Sequence, residues 1–447
     1  MEVDSAFCSA VMIASPGSGQ GKTLITAALA RHFHNQGKRV QVFKIGPDYL
    51  DPTILECASG QAVYNLDLWM MGELHCRKLL FRAAKENQVI ILESLMGLHD
   101  NQPSNAELAR MFDIPVVLVL NVAKFAQTAS AIVEGMEKYG TCPVISAVIG
   151  NRVGSDNHHR MMCDSLGDRY VGSMRRDDRL ILPERHLGLV QAAEVSGLDN
   201  RLTTAADALD QFDIGIPLEN VNFVQPQTES SSQAIVPDGS NQLQGKVIAI
   251  ARDAAFSFLY PANILLLKQM GAKLVYFSPL ENQAVPECDA IWLPGGYPEL
   301  FLEEIDQANR TIQGLIQHHQ SNKPLLAECG GMMVMCRTIT DKDGKTATGC
   351  GVFEADCNMT SRFQSVGLQS VGYENGEIRG HSFHHSIIRT YLSPDRYASR
   401  QSGDQGEPVY VSRKSVFSYM HHYFPSNPQV VSDFFSGEKR VLVGSRS

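Results

Sequence analysis

The sequence has no C-x-x-C pair, no long apolar segment and no excess of basic residues, and each absence removes a class of function. Its ten cysteines stand singly, at Cys8, Cys57, Cys76, Cys142, Cys163, Cys288, Cys329, Cys336, Cys350 and Cys357. Zinc knuckles and thioredoxin-type redox pairs are therefore not indicated. The longest apolar stretch, residues 114–122, is far too short to cross a bilayer, so no membrane partner is expected. Net charge is -9 and the pI lies near 5.9, whereas nucleic-acid-binding domains carry basic patches, so no nucleic-acid partner is expected. With no secretory leader in view, reduced thiols and a cytoplasmic location are the expectation. A chain of 447 residues exceeds what one hydrophobic core usually organises, so two or more domains are expected.

What is present begins with an apolar run, SAVMIA at 9–14, followed by Ser15-Pro16-Gly17-Ser18-Gly19-Gln20-Gly21-Lys22-Thr23 and a helical pattern through His32. Strand, glycine-rich loop and helix is the context of a phosphate-binding loop. Gly19 and Gly21 free the backbone N–H groups to cradle phosphates, Lys22 reaches the outer ones, and the Thr23 hydroxyl suits Mg²⁺. Pro16 stands where the strict pattern has its first glycine, so the loop is a variant. A second strand, 40–43, runs into Lys44-Ile45-Gly46-Pro47-Asp48. Lys44 suits a phosphate or carboxylate and Asp48 a magnesium shell, unless the string is a plain polar turn. A third apolar run at 89–93 ends in Glu93, the position of a second metal-linked carboxylate. Further strands are expected at 115–121 and 144–149. The last leads to Asn151, whose amide suits a nucleotide base or merely a turn. Strands alternating with helical patterns predict a doubly wound, mostly parallel α/β domain over 1–211. The polar, turn-rich stretch 212–244 reads as a linker.

A new strand pattern restarts at 247–251 and continues at 273–277 and 290–293. The last ends in Pro294-Gly295-Gly296-Tyr297-Pro298, and Gly295 and Gly296 can offer backbone N–H groups to a developing oxyanion. Then comes Ala327-Glu328-Cys329-Gly330-Gly331, a cysteine between an apolar strand and two glycines. Cys329 reads as a nucleophile on a tight turn, where helix N–H groups favour the thiolate; a small core residue is the alternative. A histidine must activate it. The late candidates are His421 and His422; His381, His384 and His385 form a second cluster that lacks the cysteine or carboxylate pattern of a metal site.

Taken with SGQGKT, FKIGPDYLDP, NLD at 65–67, MGLHD, NRVGS, LPERHLGLV at 182–190, ARDAAFSF, FSPL, PGGYPEL, AECGGMM and SYMHHYF, the chain resembles the cobyrinate a,c-diamide synthase family over nearly all its length except the linker. The resemblance implies two α/β domains, a dethiobiotin-synthetase-like P-loop domain followed, over 245–447, by a class I glutamine amidotransferase-like domain. It implies ATP and Mg²⁺, glutamine, and a cobyrinate-like tetrapyrrole polycarboxylate whose a and c acetate groups are amidated through an acyl phosphate. It implies Lys22 and Thr23 at phosphate and Mg²⁺, Asp48 and Glu93 as further acids, Gly295 and Gly296 at the oxyanion, and His421 as base, with His422 as alternative. Departures stand at Tyr423, where amidotransferases carry an acid, at Ser94 and Asn101 for glycines, at Ser382 for an acid, and at Asn121 for an aspartate. Those loops are expected to line the acceptor site, which leaves hydrogenobyrinate or nickel-sirohydrochlorin as alternative acceptors. A regulatory P-loop ATPase with an inactive amidotransferase domain is the alternative of another class. A homodimer would be the commonest soluble assembly.

Overall fold

The computed structural model describes residues 4–140, 145–180, 182–185, 188–189, 191–211, 214–226 and 241–437. The chain divides into two compact units, Met1–Glu229 and Ser230–Ser447.

The first unit is built on a sheet whose strands read, edge to edge, Tyr64–Leu66, Val40–Ile45, Val89–Glu93, Ser5–Ala14, Val116–Asn121, Ile145–Val153 and Tyr170–Arg175. Every one of these pairings is parallel. Parallel sheets are covered on both faces, which is why these strands read as unbroken apolar runs. Val40–Ile45 and Val89–Glu93 are buried at every position. Chain order reverses about Ser5–Ala14, so the loops at its carboxyl end and those of its neighbours converge on one edge. The expected linker begins differently from its composition. Glu219–Val224 is a strand, antiparallel to Ser5–Ala10 of the first strand, with Val221 and Phe223 buried and their polar neighbours out. The alternation holds a half-buried strand despite the polar surroundings. Residues 227–240 of that segment, Cys142, the start of the strand expected at 144 and part of the 182–190 string lie outside the described residues.

The second unit carries a mixed sheet. Lys273–Phe277, Val247–Ala251, Ala290–Leu293, Leu325–Glu328 and Ser415–Ser418 are parallel neighbours. From Ser415–Ser418 the pairing turns antiparallel through Gln405–Ser412, Arg396–Arg400, Ser365–Tyr373 and Gly376–His384 to His421–His422. The ladder thus returns to the chain just beyond the strand from which it set out, so this half of the sheet curls on itself. A smaller sheet joins Thr346–Thr348, Thr338–Thr340, Ala355–Met359 and Ser386–Thr390.

The nine described cysteines are all free, Cys57 exposed and Cys163 partly so, the rest buried. Among the described residues no helix is long and apolar enough to cross a membrane.

Candidate active site

In the first unit the loop after Ser5–Ala14 needs glycine at two points. Gly19 and Gly21 have φ of 72° and 96°, in the left-handed region. A Cβ on Gly21 would also lie 2.0 Å from Asn151 Nδ2. That amide donates to the Gln20 carbonyl at 2.8 Å, and Gln20 Oε1 accepts the Asn121 backbone N–H at 2.8 Å. Asn151 thus lies against the loop backbone, where it braces the turn.

Lys22 Nζ donates to the Met96 carbonyl at 2.7 Å, to Ser15 Oγ at 2.9 Å and to the Gly17 carbonyl at 3.2 Å. Burial pushes its ammonium down to about 8. The loop 94–100 closes over Pro16: the Leu98 N–H donates to the Ser15 carbonyl, and a Cβ on Gly97 would meet the Pro16 carbonyl at 2.5 Å. Asn101, standing for a family glycine, has φ of 69°, a conformation asparagine tolerates better than most residues.

Beside the loop, Lys44 Nζ lies 2.5 Å from both Asp51 Oδ2 and Glu93 Oε1. The Thr23 hydroxyl donates to the same two oxygens, at 3.2 and 2.9 Å. Asp48 was the acid expected here, yet its Oδ2 is 3.5 Å from Lys44 and its Oδ1 accepts the Leu50 and Asp51 backbone N–H groups. Asp51, the second acid after that strand, is the closer one. Its position on the first turn of the helix Leu50–Ser59 carries it back over Lys44. Electrostatics follow the geometry. Burial opposes the Lys44 charge, but the Asp51, Glu93 and Asp48 carboxylates outweigh it and hold the ammonium well above its usual range. Burial also raises Asp51, and Lys44 outweighs that, so Asp51 stays below the usual range. Burial pushes Glu93 upward and Asp48 to about 7. Glu93 Oε2 is buried and meets no hydrogen-bond donor among the described residues. A hydroxyl and carboxylate oxygens are the hard donors Mg²⁺ takes, and Mg²⁺ commonly keeps few protein ligands beside phosphates and water. The donor set fits such an ion, although among the described residues no three His, Cys, Asp or Glu side chains form a metal cage.

In the second unit, three adjacent parallel strands end side by side. Ala290–Leu293 leads to Gly295 and Gly296, Leu325–Glu328 to Cys329, and Ser415–Ser418 to His421. Cys329 has φ of 44° and ψ of −108°, a conformation that few non-glycine residues hold. It is pinned there because its N–H donates to the Ser418 carbonyl at 2.8 Å and its carbonyl accepts from Met333. The glycines around it are demanded by contact. A Cβ on Gly331 would sit 2.2 Å from the Leu293 carbonyl, and one on Gly330 2.9 Å from the Gly296 carbonyl. A Cβ on Gly295 would fall 2.1 Å from His421 Cε1, so that glycine and the His421 ring are edge to edge.

The expectation of a preformed thiolate at Cys329 does not hold. Burial drives the thiol well above its ordinary value, the Glu299 carboxylate adds to this, and the Gly330 N–H only partly opposes them. The turn's N–H groups lose to desolvation because the side chain is only 4% exposed. The thiol needs a base. His421 is fully buried, and burial first, then His381, His384 and His422, hold it well below the usual imidazole value and therefore neutral. His422 faces elsewhere, as successive residues of a strand do. Its Nδ1 lies 2.6 Å from Glu328 Oε1, and Trp292 Nε1 donates to Glu328 Oε2 at 2.8 Å. Tyr423, at the family's acid position, is 1% exposed and packs edge-on to Tyr260. Ser382 was expected in a loop lining an acceptor. It is instead fully buried within Gly376–His384, bonded to Ser365 Oγ at 3.0 Å and to Gln369 Nε2 at 2.5 Å. His384 finds its acid across the sheet, its Nε2 lying 3.2 Å from Glu407 Oε1.

Comparison with known proteins agrees with this division. Residues 11–190 match the CobQ/CobB/MinD/ParA nucleotide binding domain, and residues 247–429 match the CobB/CobQ-like glutamine amidotransferase domain. The chain is 45% identical over 432 residues to the hydrogenobyrinate a,c-diamide synthase of Pseudomonas aeruginosa, covering 96% of this chain and 97% of that one. It is 44% identical over 431 residues to the cobyrinate a,c-diamide synthase of Herminiimonas arsenicoxydans, again covering 96% and 97%.

Proposed function

Since the chain belongs to the family of cobyrinate and hydrogenobyrinate a,c-diamide synthases, we propose that it converts the a and c acetate carboxylates of such a corrinoid to amides through an acyl phosphate. The observation that carries the reading is the Cys329 turn. A strained, buried cysteine ends its strand beside strands ending in two glycines and in a neutral histidine, while a phosphate-binding loop stands in the other unit.

The glutaminase half runs on the chain's own groups. His421 takes the Cys329 proton, and Sγ attacks the carboxamide carbon of glutamine. The developing oxyanion is met by the Gly295 and Gly296 backbone. Collapse returns the proton to the leaving nitrogen, ammonia departs, and a thioester remains. Water then attacks the thioester with His421 again as base, releasing glutamate and freeing the thiol.

In the ATP-dependent half a carboxylate oxygen of the acceptor attacks the γ-phosphorus. ADP leaves and an acyl phosphate forms. Ammonia adds to its carbonyl, and phosphate leaves as the amide appears. A carboxylate is a poor electrophile, and this route gives it a leaving group. Lys22 and the loop N–H groups bind the polyphosphate, while Lys44 balances charge beside the reacting oxygens. Mg²⁺, held by Thr23, Glu93 and Asp51 with Asp48 at the margin, would neutralise phosphate charge when bound.

The test is mass spectrometry of cobyrinate and of hydrogenobyrinate, each incubated with the protein, ATP, Mg²⁺ and glutamine. Two successive carboxylate-to-amide conversions on either acceptor are expected. Cys329-dependent glutamine hydrolysis with neither acceptor converted would overturn the acceptor class.

A further inference from the structure

His421 does not stand alone on its strand. His421–His422 pairs antiparallel with Gly376–His384, so that His381 lies directly opposite His421. The approach is close: a Cβ on Gly380 would sit 1.9 Å from the His421 carbonyl. The two imidazole rings are stacked, with centroids 5.0 Å apart and planes inclined by 18°. The His381 ring is tied down in turn, because Tyr260 Oη lies 3.0 Å from its Nδ1. Tyr260 is itself wedged against Tyr423, with centroids 5.5 Å apart at 81°. Phe258 and Gly295 bound the His421 ring elsewhere. Tyr260, His381 and His421 are all at most 4% exposed.

We propose that Tyr260 and His381 form a positioning pair, holding the plane of the His421 ring and offering its imidazolium an aromatic face at the moment the Cys329 proton is taken. This rests on the reading of Cys329 as nucleophile and His421 as its base. An imidazolium formed in a dry site is costly, and the face of an electron-rich ring offsets part of that cost. A stacked imidazole gives that help only while it is neutral itself. Burial holds His381 down to about 3, so it is uncharged across the working range. The Tyr260 bond holds its ring plane. His384 and His422 also act on His421, each engaged by a carboxylate of its own, Glu407 and Glu328.

The test measures glutaminase kcat and KM in the full-length protein for His381→Ala, His381→Phe and Tyr260→Phe. Amidation driven by free ammonia is assayed alongside. His381→Ala should lower glutaminase kcat on the order of a hundredfold and leave KM for glutamine within a small factor. His381→Phe, which restores a flat ring, should recover part of kcat, and Tyr260→Phe should lose on the order of tenfold. Ammonia-driven amidation should persist in all three. Unchanged kcat in His381→Ala would overturn the pair, as would an equal loss with glutamine and with ammonia. Should His381→Ala fail to fold, Tyr260→Phe, which deletes a single oxygen, decides the matter. Cys329→Ala distinguishes the underlying reading: glutamine hydrolysis surviving that change would remove the site itself, not merely its positioning pair.

Discussion

His422 and Glu328 are joined twice: Glu328 Oε1 lies 2.6 Å from His422 Nδ1 and accepts the His422 backbone N–H at 2.8 Å. With Trp292 on the other carboxylate oxygen, this pair bolts the strand carrying His421 to the strand that presents Cys329. Two neighbouring histidines thus have separable roles. His422→Ala, which leaves a buried carboxylate short of a partner, should cost about 3–5 kcal/mol in denaturant unfolding. His421→Ala should abolish glutaminase activity and cost much less stability. The reverse pattern would exchange their roles.

Asp51 and Asp48 are separable in the same way. Asp51→Asn removes a carboxylate 2.5 Å from Lys44 and should misplace that ammonium. A loss on the order of a hundredfold in ammonia-driven, ATP-dependent amidation is expected. Asp48→Asn keeps an oxygen able to accept the Leu50 and Asp51 N–H groups and should lose far less. Equal losses would show that both carboxylates act on the reacting groups.

Lys22 supplies a pH signature. Its folded-state value of about 8 lies below the usual 10.5, so the free protein sheds this proton as pH rises through about 8. Bound polyphosphate favours the ammonium. Nucleotide affinity should therefore weaken above about pH 8, and binding there should take up protons. Calorimetry in buffers of differing ionisation heat reads the uptake, and Lys22→Met should lack it. Identical uptake in the variant would assign the titration to another group.

The Cys329 thiol, raised by burial, should behave as a thiol and not as a thiolate in the free protein. Its alkylation by iodoacetamide, followed by peptide mass spectrometry, should keep rising through the alkaline range without a plateau near neutrality. A plateau near pH 7 would mean that the thiolate is already formed before glutamine arrives.

Much of this was legible in the residues. Glycines announced both strained loops because nothing larger fits against Asn151, Leu293 or His421, and apolar runs announced the parallel strands. Asp51 escaped because choosing between two acids three residues apart requires knowing where the helix Leu50–Ser59 begins. Between His421 and His422 the resemblance favours His421, but a two-residue strand shows no alternation of its own; its pairing with Gly376–His384 orients it. The strand Glu219–Val224 was hidden by composition, although Val221 and Phe223 alternate as a half-buried strand should. Cys329 misled in the other direction: position at a helix start argues for a low pKa, and only the packing reveals that desolvation wins.

The backbone at Cys329 sets the protein's durability against its chemistry. Its φ of 44° and ψ of −108° mirror an ordinary extended conformation, which glycine adopts freely and other residues hold at a cost of about 1–3 kcal/mol. Glycine normally weakens a chain relative to alanine, yet here Cys329→Gly should melt above Cys329→Ala, both having lost the same thiol. The substitution that relieves this turn is then one that cannot hydrolyse glutamine, and a screen for thermal tolerance alone would do nothing to keep the nucleophile.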